Sequence, residues 1–522
     1  MSEVEAILVL LAATTALVAL ARRFEIPYPI LLVLGGLALG FMPGLPRVEL
    51  KPELVFVLIL PPILQSAAFF TPVRDFRAQI RPILSLAVGL VLFTTCAVAV
   101  VAHWAIDGLS WPSAFVLGAI VSPTDAVAAT SIAQRLGLPR RIVSILEGES
   151  LVNDASGLVA YRVAVVAAVT GGFSFTDVVR QFTVAVVVGL LVGYIVGRIV
   201  AFLLRSTDDA SIGIAISLLA PYGAYLLTER LHGSGVLAVV VGGFMMSRVF
   251  FQLENPLARL QGVNFWDMFI FLLNGFVFIL IGVQLPDILD GISGYSWSTL
   301  VLYAAAVSLT AIIVRIGWVF LTSDPKIRFW NRTLACTTRA DRPELMVIAW
   351  AGMRGVVSLA AALALKEDIP GRDLIIFLTF ALIVVTLVGQ GLTLAPLIRA
   401  LEIPGDMREE QEELEARSAT ARAARARLDE LAQEEWVIDE VVQDFALHVD
   451  RRAGRIDEQR AGSDGEQAHE EVAVIFERIQ RELLRAELDE AVRLRNLGRI
   501  NDETLRKIQR DLDVELIRLG RR

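Results

Sequence analysis

The chain has 522 residues, of which 55% are apolar and 20% charged, with a formal net charge of −8. Soluble proteins of this size usually carry about 25% charged residues and a smaller apolar share, which excludes a disordered chain, a disulfide-stapled scaffold and an ordinary cytosolic enzyme. The charge is uneven: 31 acidic and 21 basic residues lie from Leu401 onward, so the first 400 residues carry only +2 and nearly all the long apolar runs.

A membrane span needs about 20 mostly apolar residues. Thirteen such runs lie near 4–21, 28–43, 53–70, 83–104, 112–134, 142–170, 177–204, 211–230, 234–251, 263–285, 297–322, 343–366 and 372–400. The first starts among Glu3 and Glu5 and ends at Arg22-Arg23, the reverse of a cleaved signal peptide, and is expected to be a retained span. One alternate set of loops holds Arg22, Arg23, Arg74, Arg77, Arg135, Arg140, Arg141 and others. The opposite set holds little beyond Arg47, Lys51, Arg230, Lys366 and Arg372. That asymmetry orients the chain with its N-terminus outside and its tail in the cytoplasm. Cys96 and Cys336 match no metal or redox spacing and read as reduced thiols in apolar helices.

The expected fold is an all-α polytopic membrane protein: a membrane domain over 1–402 and a soluble helical tail over 403–522. In the tail, Met407–Ala432 is rich in strong helix formers, and Val437–Ile456 has helical apolar spacing. After the Gly462–Gly465 loop a long helix is expected over Glu466–Leu497, stopped by Gly498. The tail has no phosphate loop, zinc spacing or nucleic-acid patch, and reads as a helical module packing on itself or on its partner copy, with ligand sensing as the alternative.

Charges inside spans are expensive, about 2.5–3.5 kcal/mol each on insertion scales, and two segments concentrate them. The first is Ser122-Pro123-Thr124-Asp125 in the fifth run, where Pro123 should break the helix and Asp125 can face the positive end of a half-helix. The second is Glu147-Gly148-Glu149-Ser150-Leu151-Val152-Asn153-Asp154 in the sixth run. On a helix Glu147, Ser150 and Asp154 share one face, with Glu149 and Asn153 on the neighbouring face. Three acids in eight residues of a span must line a cavity or pair with cations. Arg315 and Arg354 are the basic candidates, and the glycines flanking Arg354 allow a second broken helix. Interrupted segments in matching places of two halves point to inverted repeats around a midplane site. A buried salt-bridge network without a transport role stays open on these residues alone.

The Ser122–Val127 and Gly148–Ala155 segments, with Leu60-Pro61-Pro62-Ile63 and Gly352–Ser358, resemble four motifs of the monovalent cation:proton antiporters, in family order. More narrowly they resemble the sodium/proton exchanger (NhaP/NHE-like) branch, in a bacterial form with a cytoplasmic tail. The resemblance implies a cation/proton exchanger that is not an enzyme and has no cofactor or nucleic-acid partner. It also implies a homodimer in the inner (plasma) membrane and a role in pH and sodium homeostasis. Asp154 would be the carboxylate binding cation or proton, with Ser150, Thr124 and Asp125 supplying further oxygens. Asn153, where electrogenic relatives carry a second Asp, implies electroneutral exchange. Glu149 would pair with Arg354, with Arg315 joining that network. One departure is Ser66, a candidate cation ligand standing where the family usually places a carboxylate. A cation channel and a transport-dead sensor signalling through the tail are the alternatives. A channel wants rings of like groups about a symmetric pore, and a dead sensor would lack Asp154.

Overall fold

The computed structural model describes residues 3–24, 27–42, 52–170, 175–207, 209–250, 255–292, 294–323, 342–403 and 407–434, with isolated positions between 437 and 512. It divides into two units, Met1–Gly405 and Asp406–Arg522. Regular structure among the described residues is helical throughout.

The first unit runs through α1 (Glu3–Arg23), α2 (Tyr28–Gly40), α3 (Pro52–Phe70), α4 (Val73–Ala78), α5 (Ile80–Ala105), α6 (Trp111–Val121) and α7 (Ala126–Arg135). It continues through α8 (Arg140–Thr170), α9 (Phe175–Arg205), α10 (Ala210–Arg230), α11 (Gly235–Phe250), α12 (Pro256–Val283) and α13 (Leu285–Gly291). It ends with α14 (Trp297–Ser323), α15 (Arg342–Trp350), α16 (Val356–Leu363) and α17 (Arg372–Ala400). Among the described residues nine helical stretches are long and apolar enough to cross a membrane, and α2 and α11 are shorter apolar helices. The remaining two of the thirteen apolar runs fall on α1 and on the interrupted pair α15/α16.

Prolines shape several of these helices and explain polar contacts that the apolar pattern does not. A proline removes the donor that would satisfy the carbonyl four residues earlier. In α3, Pro61 and Pro62 follow a π-helical turn at Val55–Ile59, and the Tyr222 hydroxyl donates to the Leu58 carbonyl at 3.1 Å. In α10, Pro221 frees the Ser217 carbonyl, which accepts from Gln65 Nε2 at 2.6 Å. The same serine's hydroxyl accepts from Trp266 Nε1 at 3.1 Å, pinning α3, α10 and α12 together.

The helices of this unit pack as two bundles. One gathers α1, α2, α3, α9, α10, α11 and α12; the other gathers α5, α6, α7, α8, α14, α15, α16 and α17, including both interrupted helices. A line of thinner packing between α8 and the first bundle forms a seam. Close packing uses small residues: a β-carbon at Gly118 of α6 would collide with the Thr95 carbonyl of α5.

In the second unit, the Ala-, Glu- and Arg-rich stretch forms α18 (Met407–Leu431). The further tail helices expected over 437–456 and 466–497 lie mostly outside the described residues, as does Cys336. Cys96 is a free, exposed thiol.

Candidate functional site

The first break separates α6, which ends at Val121, from α7, which begins at Ala126. Asp125 caps α7: its Oδ1 accepts from the Val127 amide at 2.8 Å. The carboxylate thereby satisfies an orphan donor and faces the positive end of the helix dipole. The second break, Ala351–Gly355, lies between α15 and α16. The two breaks touch, with the Asp125 amide donating to the Met353 carbonyl at 2.8 Å. Gly355 lies against Asp125 Oδ2, where any β-carbon would collide with the carboxylate. A side chain at 355 would therefore have to push Asp125 out of its capping position.

The negative ends of the half-helices are met by the two intramembrane arginines. Arg354 Nε donates to Val121 O, at the end of α6, at 3.1 Å, and one of its Nη atoms donates to Gly352 O. Arg315, from α14, donates through Nε and Nη2 to Ile348 O, in the last turn of α15, at 3.3 and 2.9 Å. A cation at a helix C-terminus is stabilised by the unpaired carbonyls there. Arg315 also makes a two-point ion pair with Glu149, at 2.5 and 2.9 Å. The resemblance implied a direct Glu149–Arg354 pair with Arg315 joining it; the structure instead puts Arg315 on Glu149. Arg354's guanidinium bonds to carbonyls at the two breaks, and Arg315 is the cation that reaches the carboxylate.

Helix α8 is continuous through Arg140–Thr170, which places Glu147, Ser150 and Asp154 on one face. From the neighbouring face, Glu149 Oε1 accepts from the Thr124 hydroxyl at 2.8 Å. Asn153 Nδ2 donates to the Thr124 carbonyl and hydroxyl oxygens at 3.0 and 2.8 Å, fixing the first break against α8. Asn153 Oδ1 is buried without a partner among the described residues. Ser150 Oγ accepts from the Ala126 amide at 3.4 Å. Asp154 is only 7% exposed, and among the described residues its carboxylate has no hydrogen bond or ion pair.

The structure therefore brings Thr124, Asp125, Glu149, Ser150, Asn153, Asp154, Arg315 and Arg354 into or around one crossing. Ser66 is buried on α3 in the opposite bundle. Among the described residues no hydrogen bond links Ser66 to Asp154, Thr124 or Ser150. The sequence did not disclose the pair between Arg162 and Glu229: Arg162 Nη2 of α8 contacts both oxygens of Glu229, at the end of α10, at 2.8 and 2.7 Å. It crosses the seam between the bundles. The available signal was a single cation within the apolar half of α8 after Asp154.

Residues 8–400 match the family model described as sodium/hydrogen exchanger, transmembrane. The chain belongs to the sodium/hydrogen exchanger family. An uncharacterized Na+/H+ exchanger of Mycobacterium tuberculosis is 34% identical over 98% of this chain and 95% of its own length. A sodium, potassium, lithium and rubidium/H+ antiporter of Bacillus subtilis is 36% identical over 70% of this chain and 56% of its own length. In fold, the chain is similar to a sodium proton antiporter structure from Methanocaldococcus jannaschii. The TM-score is 0.63 at 21% identity, covering 76% of this chain and 98% of the other. The protein is a multi-pass membrane antiporter, a secondary transporter and not an enzyme.

Proposed function

We propose that the protein exchanges one monovalent cation for one proton, with the Asp154 carboxylate taking either in turn. Sodium is the leading cargo, and lithium and potassium are further candidates, since relatives named for these ions match this chain. The observation that carries the reading is Asp154 itself. It is buried beside two touching helix breaks and, among the described residues, has no hydrogen-bond or ion-pair partner, whereas Glu149 is ion-paired and Asp125 caps a helix. Ser150 Oγ and the unpartnered Asn153 Oδ1 add neutral oxygens of the kind a hard monovalent cation accepts. Because proton and cation compete for one carboxylate, the two fluxes are coupled without further machinery.

Alternation follows if the bundle holding both breaks and α8 moves against the other, exposing Asp154 first at one end of the seam and then at the other. The loop charges favour an outer N-terminus, with the start of α8 and the tail facing the cytoplasm across the plasma (inner) membrane. A homodimer built on the non-moving bundle completes the proposal. Reconstitution tests it: sodium, lithium or potassium added to proteoliposomes should dissipate an imposed pH gradient. No cation-dependent dissipation would overturn the reading.

Two expected outcomes follow from particular residues. At position 153 an amide stands beside Asp154, so the pair offers a second transported proton no adjacent acid, and Asp125 is engaged in capping α7. Exchange rates at fixed ion gradients should then be indifferent to an imposed membrane potential; a strong response would mean net charge moves. The second concerns Arg162–Glu229, which ties α8 to the opposite bundle. In a background lacking Cys96 and Cys336, a bis-methanethiosulfonate crosslinker, which forms a disulfide with each thiol and releases sulfinate, should stop exchange when it joins Arg162→Cys to Glu229→Cys, and reductant should restore it. Full exchange in the crosslinked protein would show that the seam does not open there.

A further inference from the structure

We infer that Glu147 is a portal carboxylate, drawing the incoming cation into the seam at the start of α8 and passing it along one helix face to Asp154. The inference rests on the exchange reading above. Glu147 precedes Asp154 by seven residues, about 10 Å along the helix axis, with Ser150 between them on the same face.

Its surroundings do not account for it as a structural group. Gln134 Nε2 lies 3.5 Å from Oε1 and the Thr71 hydroxyl 3.4 Å from Oε2. Thr71 directs the same hydroxyl to the Ala67 carbonyl at 2.7 Å. Among the described residues no cation pairs with Glu147. A half-buried carboxylate held only by neutral donors at the limit of hydrogen bonding gains little against its lost hydration. Glu149, two residues later and fully buried, has a two-point arginine partner instead.

Position supplies the role. Thr71 closes α3 of one bundle, while Gln134 lies near the end of α7 in the other, so Glu147 sits where the seam begins. Between it and Asp154 the neighbouring Ser150, Asp125, Ala126 and Thr130 are all partly exposed. Just beyond Asp154 the helix is buried through Gly157. Gly157 abuts the Pro123 ring, Leu158 packs into an apolar cluster, and Arg162–Glu229 spans the seam. The open approach is thus from the Glu147 end. That end carries more basic than acidic residues on the adjoining segments, Arg74, Arg77, Arg135 and Arg140 against Asp75. Such charge repels a cation, and a carboxylate at the mouth reverses the local field where the ion must start shedding water.

The test compares wild type and Glu147→Gln in oriented proteoliposomes, with sodium supplied from either side. At low ionic strength Glu147→Gln should raise the KM for sodium on the α8 N-terminal side by roughly three- to tenfold, the scale of losing one partly screened charge near the path. The KM on the other side and the maximal rate should hold, and the difference should shrink when N-methylglucamine gluconate is added. Gln134→Glu, an exposed substitution that adds a charge at the same mouth, should lower the KM on that side. An unchanged KM in both variants would overturn the inference, as would a shift equal on both sides, a shift insensitive to salt, or a fall in maximal rate alone. Wild-type vesicles without cation-dependent flux would overturn the exchange reading instead.

Discussion

Asp154→Asn should reduce cation-driven proton flux in proteoliposomes to that of protein-free vesicles, while the purified protein keeps its elution profile and thermal stability. The two halves of this expectation have one cause. The carboxylate makes no hydrogen bond or ion pair among the described residues, so an amide of equal volume removes charge and titration but no contact. The neighbouring scaffold — Asn153 on Thr124, Asp125 on α7 — does not pass through Asp154. Asp125→Asn provides the contrast. Asparagine caps helices about as well as aspartate, so α7 should stay capped and the protein folded, with cation affinity weakened rather than flux abolished. Cation-dependent flux that survives in Asp154→Asn and vanishes in Asp125→Asn would transfer the carrier role to Asp125.

What the sequence made legible, and what it did not, divides along physical lines. Pro123 announces its break because a missing amide donor and a ring clash act locally, whatever packs around them. The Asp125 cap follows from the same local rule, and the shared face of Ser150 and Asp154 from helix periodicity alone. Partner choice is different. Arg315 and Arg354 both sit in apolar runs far from Glu149, and no spacing tells which of two remote guanidinium groups reaches it. The answer depends on where α14 and the second break lie in space, and there Arg354 turns to the carbonyls at the two breaks. Arg162–Glu229 was hidden for the same reason, its members lying 67 positions apart. Beside Ser66, Gln65 supports the Ser217 carbonyl that Pro221 leaves without a donor, a contact between residues 152 positions apart that no helix spacing announces.

Glu149→Gln and Arg315→Gln should each destabilise the folded protein by about 3–5 kcal/mol, the usual consequence of stranding one member of a buried ion pair. Both side chains are fully buried, at 2% and 1% exposure, and bonded at two points, so neither charge can relax into solvent when its partner is lost. Combining the two substitutions should cost less than the sum of the singles, because no charge is then stranded and the coupling appears in the double-mutant cycle. Arg354→Gln should cost less, about 1.5–3 kcal/mol, since it loses charge-assisted bonds to carbonyls and its amide can still donate to one of them. Scanning fluorimetry of detergent-purified variants, read beside sodium affinity, orders these effects. The expected ranking is Arg315 and Glu149 first, Arg354 next, and Asp154→Asn near wild type. Glu149 also anchors the Thr124 hydroxyl, so its loss should loosen the first break and lower transport as a by-product of instability. If Glu149→Gln instead keeps wild-type stability but loses sodium binding, Glu149 is itself a cation ligand, and the ion pair with Arg315 belongs only to the unloaded state.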